Sequence, residues 1–319
     1  MGVSGGWVRR FAFASVVANV GIVVTGGAVR LTASGLGCPT VPYCTEESFF
    51  PTPELGVHGV IEYGNRTLTG VLGVVAVATL IAVWRDRPRR RDLLGPAVAL
   101  LVGIPAQALL GAVTVLTGLN PWTVMGHFLL SMLLISTAVV LWVRCQEPPG
   151  PTAAVVPPPL RLLTRALLGV LAVVLMLGTV VTGTGPHAGD PDSPRMGFDL
   201  AVASQLHADA VLLLIGMTVA LWAGLLAVRA PERVRRAAVA LLVVELAQGV
   251  IGFVQYFTDL PVLLVGLHLL GAGLVTVSAV RLYLTMRARL PGASPGPAVA
   301  AASVTRSSGR SGSFAAPPS

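Results

Sequence analysis

The stretch His58-Gly-Val-Ile-Glu62-Tyr-Gly-Asn65-Arg66 opens an apolar segment that continues to about Trp84. At about 100° per residue, positions 58, 62, 65 and 66 lie within about a quarter turn of one another, so one helix face carries His58, Glu62, Asn65 and Arg66. Ionisable groups inside a membrane helix are costly and turn toward a bundle interior or a cavity. The segment therefore reads as a transmembrane helix that bears a functional site, and the partners of that site must come from other helices.

The bulk numbers agree. A mean hydropathy of +0.79, with 54% hydrophobic and 11% charged residues, places the chain among polytopic membrane proteins. The net charge is +8, but all 22 basic residues are arginines clustered between apolar runs. They read as topology signals rather than a nucleic-acid-binding face, and no nucleic-acid partner is expected. The first apolar run is long enough to span and has no clear small-residue cleavage site, so no cleaved leader is expected. Three cysteines without a Cys-x-x-Cys pair argue against zinc or iron–sulfur sites.

Eight apolar stretches reach spanning length: about 11–29, 58–84, 93–117, 122–143, 162–184, 201–228, 237–257 and 262–284. One set of connections, with the termini, holds 19 of the 22 arginines; Arg30, Arg66 and Arg195 are the others. The positive-inside rule then makes both termini cytoplasmic in a cell-membrane protein. Trp7, Trp84, Trp142 and Trp222 fall at inner helix ends and Trp122 at an outer one, as an interfacial belt requires. The chain divides into a four-helix half at 1–147, a Pro-rich cytoplasmic linker at 148–160, a second four-helix half at 161–290 and a Gly/Ser/Ala/Pro-rich tail at 291–319, expected to be disordered. An internal repeat joins the halves. Gln107-(x3)-Gly111-(x15)-His127 recurs as Gln248-(x3)-Gly252-(x15)-His268, and Val24-Thr-Gly26 as Val181-Thr-Gly183. The expected fold class is an all-α integral membrane protein, eight transmembrane helices in two pseudo-symmetric four-helix bundles, repeated in parallel.

Of five histidines, His58 and His207 open the second and sixth spans, and His127 and His268 lie near the outer ends of the fourth and eighth. All four are expected at similar depth; His187 is in an outer loop. One apolar-helix histidine is commonly a packing residue, but two repeat-related pairs are hard to explain that way. Facing histidines on bundle helices suit axial ligation of haem iron. Copper or zinc would accept imidazoles too, yet no carboxylate or thiolate completes a compact shell. The repeat also carries an asymmetry. The position equivalent to His207 is Asn65, so one half has a pair, His207 with His268, while the other sets His127 against Asn65, Glu62 and His58.

These residues resemble the haem A synthase family, over nearly all of residues 7 to 285. The resemblance rests on Gly26-Gly-Ala-Val-Arg30-Leu-Thr-Ala-Ser-Gly-Leu-Gly-Cys38-Pro, on Glu62-Tyr-Gly-Asn65-Arg66, on Thr182-Gly-Thr184-Gly-Pro-His187-Ala-Gly-Asp190 and on the four-histidine pattern. It implies haem b as cofactor, held by His207 and His268, and a substrate haem site in the N-terminal half formed by His58, Asn65, Arg66 and His127. It implies oxidation of the C8 methyl of haem O to a formyl group by successive hydroxylations. Much of the family carries Glu-x-x-His-Arg where this chain has Glu62-x-x-Asn65-Arg66, so either His58 moves into the ligand role or His127 holds the substrate iron alone. Glu62 is the expected catalytic carboxylate, as electrostatic stabiliser or general base; the competing reading makes it a structural ion pair with Arg66. Arg66 has the same two options, the pair or a haem propionate. The family makes a Cys38–Cys44 disulfide plausible, redox-active or structural, outside the reducing cytosol. Cys145 is expected to be inert. His187 is either a haem contact or a surface turn. Gln107, Gln248 and Glu245 read as polar glue between helices.

Two other readings belong to different classes. A bis-haem b, quinol-oxidising electron carrier predicts two bis-histidine haems and no use for Glu62. A transporter on parallel repeats predicts no haem at all. Haem O, membrane lipid, a haem O synthase and terminal-oxidase assembly factors are the partners the family suggests, with oligomeric state open.

Overall fold

The computed structural model describes residues 5–88 and 90–289. Eight helices carry the chain: α1 (Gly6–Leu31), α2 (Gly56–Asp86), α3 (Leu94–Leu116), α4 (Pro121–Cys145), α5 (Pro158–Thr184), α6 (Leu200–Ala227), α7 (Glu232–Phe257) and α8 (Val262–Thr285). All eight are long and apolar enough to cross a membrane. The protein is an all-α, multi-pass membrane protein, as the hydropathy pattern predicts. Where water is scarce, each backbone polar group must be paired within the segment, and a continuous helix does this. Helix starts are marked locally. Asn120 accepts from the Trp122 amide (3.0 Å) ahead of Pro121, and Asp199 accepts from the Val202 amide (2.9 Å).

Short turns make antiparallel neighbours of α3 and α4, α6 and α7, and α7 and α8. The α3–α4 and α7–α8 turns have the same backbone. Gly118 and Leu119 have φ of 61° and 58°, Asp259 and Leu260 both 57°. The Leu119 amide donates to Thr114 O and the Leu260 amide to Gln255 O, each at 2.8 Å. The 141-residue repeat read from the sequence thus extends to chain geometry.

Two apolar clusters hold the helices together. One joins Val8, Ala12 and Val16 of α1, Leu100 of α3, Ile135, Val139 and Leu141 of α4, and Val280 and Leu284 of α8. The other joins Leu167 and Leu171 of α5, Leu221 and Leu225 of α6, Leu241 of α7, and Ala279 and Leu282 of α8. Helix α8 feeds both, packing against α1, α4, α5 and α7. Both clusters lie mainly toward the arginine-rich ends of the helices. The histidine-bearing ends are less tightly filled, and polar side chains set their geometry.

The 148–160 segment is more ordered than a linker of that composition suggests. Strand β1 (Thr152–Ala154) pairs antiparallel with β2 (Arg287–Arg289), and α5 begins at Pro158. The pairing gives this segment's backbone polar groups a partner at the arginine-rich end. The 291–319 tail lies outside the described residues.

Candidate functional site

His207 is the eighth residue of α6, and α5 seats it. A Cβ on Gly178 would stand 3.2 Å from its Cε1, so glycine there admits the ring. Its Nδ1 lies 3.1 Å from Val174 O. A carbonyl only accepts, so Nδ1 carries the proton and Nε2 keeps the lone pair. The ring centroid is 6.4 Å from that of His268, with the planes 74° apart. A metal–imidazole bond is about 2 Å, so two imidazoles binding one iron from opposite sides stand with ring centres about 6 Å apart. The pair fits a haem held between axial histidines, with Val174 O fixing the tautomer as a supporting acceptor.

His127 and His268 are each the seventh residue of their helix, and their surroundings repeat. Gly111 of α3 faces His127 and Gly252 of α7 faces His268, where an added Cβ would stand 3.2 and 3.4 Å from Cε1. Gln107 Nε2 donates to His127 O (3.0 Å) and Gln248 Nε2 to His268 O (3.1 Å). Gln107 also bonds Ser131 Oγ, while Gln248 packs on Gly271, where a Cβ would collide with it at 1.3 Å. In both hairpins the histidine Nδ1 and the glutamine Oε1 are buried without a partner. The glutamines do bridge helices, as the sequence suggests, and the helix segments they brace carry the histidines.

The first half departs from this plan at Asn65. Thr25 Oγ1 donates to Asn65 Oδ1 at 2.8 Å, where the second half has a histidine and Thr182 instead bonds Gly178 O. Gly21, which corresponds to Gly178, has nothing within reach of an added Cβ. Among the described residues, His207–His268 is the only histidine ring pair. His58 is the third residue of α2, seven positions before Asn65, and is exposed; its Nδ1 pairs with Ser34 Oγ at 2.9 Å. His58 thus lies nearer the start of its helix than His127, His268 and His207 do on theirs.

Glu62 is 5% exposed and engaged on both oxygens. Oε2 accepts from the Cys38 amide at 2.6 Å; Oε1 accepts from Arg66 Nη2 (2.6 Å) and Nε (3.2 Å). The remaining Arg66 donors reach Cys38 O (2.6 Å), Thr40 O (2.8 Å) and Tyr43 O (3.3 Å). All five guanidinium donors thus go to protein acceptors. Cys38 and Cys44 form a disulfide in that loop, both fully buried. Gly37 is required there, since a Cβ would lie 2.2 Å from His58 O. Glu62 and Arg66 form an ion pair that clamps the disulfide loop onto α2.

His187 bonds Leu260 O through Nε2 (2.9 Å), and its own carbonyl accepts from Arg30 Nε at 2.5 Å. Arg30 also donates to Thr182 O (2.9 Å), so the end of α1 is tied to α5 and to the α5–α6 loop. Cys145 is buried at the arginine-rich end of α4. Thr218 Oγ1 donates to Glu245 Oε1 at 3.0 Å, about one helical turn from Gln248. Sequence reasoning missed Ser34, Thr25, Gly178 and the reach of Arg30. Only Thr25 had a signal, in the repeated Val-Thr-Gly.

A family model described as a cytochrome oxidase assembly protein matches residues 9–280. Three similar proteins bear the name heme A synthase. One from Alkalihalophilus pseudofirmus is 28% identical over 143 residues, 44% of this chain and 48% of that protein. One from Halalkalibacterium halodurans is 27% identical over 181 residues, 56% and 58%. One from Bacillus cereus is 36% identical over 126 residues, 39% of each. The chain spans about half the length of these curated relatives.

Proposed function

The chain belongs to the cytochrome oxidase assembly protein family, and from that membership we propose that it is a haem A synthase, an oxidoreductase that converts the C8 methyl of haem O to a formyl group through two hydroxylations and loss of water. The observation that carries the reading is the unequal furnishing of the two halves: a matched imidazole pair at 6.4 Å in one, and in the other a single hairpin histidine and a clamped carboxylate. We assign haem b to His207 and His268 in the 161–290 half, and haem O to the 1–147 half, near His127, Asn65 and Glu62. Haem b, when bound, supplies one-electron chemistry. His207 and His268 orient it, the first held in one tautomer by Val174 O.

On the substrate side His127 is the assigned iron ligand, with its carbonyl braced by Gln107 and Ser131. His58, exposed and bonded to Ser34, lines the mouth. Glu62 is the assigned electrostatic stabiliser, because a carboxylate fixed by an amide and a guanidinium is preorganised for positive charge that develops nearby. Arg66 is a positioning residue for Glu62 and the disulfide loop. The linker at 148–160 joins the halves on the cytoplasmic side of the cell membrane, where the arginines place both termini. Haem O delivery by a haem O synthase and transfer to terminal-oxidase assembly factors complete the reading. A two-haem electron carrier would require a second histidine where Asn65 stands.

The test is the haem inventory of the purified protein, by extraction, chromatography and mass, after co-expression with a haem O source. Haem b together with haem A or its hydroxylated intermediate is expected. Two haems b per chain with haem O untouched would sink the synthase reading.

A further inference from the structure

The arginine-rich end carries a second candidate site, unrelated to the histidines. Two adjoining clefts flank the β1–β2 ribbon. One, of about 230 Å³, is bounded by Arg144, Glu147, Thr152, Leu284, Arg287 and Arg289. The other, of about 220 Å³, shares Thr152 and Arg287 and adds Arg161, Arg165 and Tyr283. Three carboxylates at this end pair with other arginines, Glu147 from within the first cleft's wall, while Asp86 Oδ2 is buried without a hydrogen-bond partner. Asp92 pairs with Arg90 (3.1 Å) and Arg289 (2.9 Å), Glu147 with Arg289 (3.1 Å), and Glu232 with Arg235 and Arg236. No ion pair reaches Arg144, Arg161, Arg165 or Arg287 among the described residues. Arg161 Nε is buried without a hydrogen-bond partner, and Arg287 rests over the Tyr283 ring at 5.3 Å. The sequence from 290 to 319 has no Asp or Glu, so it brings no carboxylate side chain to this cluster.

Topology alone asks only for arginines between spans. It does not ask for four of them to line two adjoining clefts with no ion pair of their own among the described residues. Guanidinium groups bind phosphate oxygens through paired N–H donors. The cleft lies where α4 and α8 end and α5 begins, the level of a lipid phosphate for helices that cross a bilayer. We propose that this cleft binds the phosphodiester of an anionic phospholipid, with Arg161 and Arg287 as principal donors and Arg144 and Arg165 beside them. The bound lipid would also join the β1 segment to the end of α8. The proposal needs only the membrane fold and is independent of the haem reading, so each can fail while the other stands.

The experiment measures binding to the detergent-purified full chain by native mass spectrometry, with phosphatidylglycerol, phosphatidylcholine and inorganic phosphate as separate probes. Phosphatidylglycerol is expected to bind the wild type preferentially. An Arg161→Gln/Arg287→Gln variant should bind it about 30-fold more weakly, each arginine near the surface being worth about fivefold. An Arg10→Gln/Arg87→Gln variant, which removes the same charge from the same end, should leave affinity unchanged. Arg161→Gln alone, expected to lose about fivefold, serves if the double variant loses helicity by circular dichroism. Equal binding of phosphatidylcholine, or equal loss in the Arg10/Arg87 control, overturns the site. Inorganic phosphate that binds as well and competes with the lipid overturns the lipid assignment in favour of a free-anion site.

Discussion

The two helical hairpins that carry His127 and His268 share a turn, a glycine seat, a glutamine brace and the same unpaired atoms, yet the sites built on them differ. Across from His268, α6 offers His207, held by α5 at Val174 and Gly178. At the position that the repeat makes equivalent to His207, α2 offers Asn65, bonded to Thr25, with a clamped Glu62 three residues earlier. The two hairpins thus share a scaffold, and the halves differ at one position, His207 or Asn65, and in the loop clamped by Glu62 and Arg66. Two matched imidazoles suit a group that stays. One imidazole beside a fixed carboxylate suits a group that binds, reacts and leaves.

The largest effect is expected of Glu62→Ala, which removes the carboxylate that the second half lacks. Haem A formation should fall by about 100-fold or more, the range for loss of one preorganised electrostatic group, while haem b content holds; both are read from the extracted haems. Arg66 then loses its Glu62 partner, so Arg66→Ala should restore part of the stability lost but none of the activity, as thermal unfolding and turnover would show. Next in size, His207→Ala or His268→Ala should lower haem b per protein by about tenfold or more, since even groups that only support a ligand are worth about 10–100-fold. His127→Ala should retain haem b, and loss of it there would end the division of labour between halves.

Asn65→His sharpens the comparison by making the first half like the second. Its absorption spectrum should gain a second low-spin haem, with substrate haem retained about tenfold more tightly and product formation slowed. The smallest effect separates two glycines. Gly178→Ala would press on the His207 ring and should cost about 1 kcal/mol with a shifted haem b spectrum, whereas Gly21→Ala meets nothing and should be neutral or slightly stabilising.

Much of the architecture was legible from residues alone. Eight spans follow from apolar length, a local property, and all eight helices appear within a few residues of those limits. The repeat was visible because Gln, Gly and His recur at one spacing on one helix face, and the shared turn geometry follows it. The asymmetry at Asn65 was legible for the same reason. The linker was not: nothing in Thr152–Ala154 announces a strand whose partner lies more than 130 residues away.

Which segments enter the membrane, which loops carry charge and which residue types share a helix face can be read from the chain alone. These depend on hydropathy and on a period of 3.6 residues, and neither needs knowledge of neighbours. Tertiary structure decided what each polar group does. Only the fold turns Arg66 toward the carbonyls of residues 38, 40 and 43, brings Arg30 to His187, and sets His207 against His268 while leaving His58 at the helix mouth. The physical reason is that a buried polar group takes whichever partner the packed chain brings within about 3 Å. That distance is set by loop paths and helix contacts far apart in sequence.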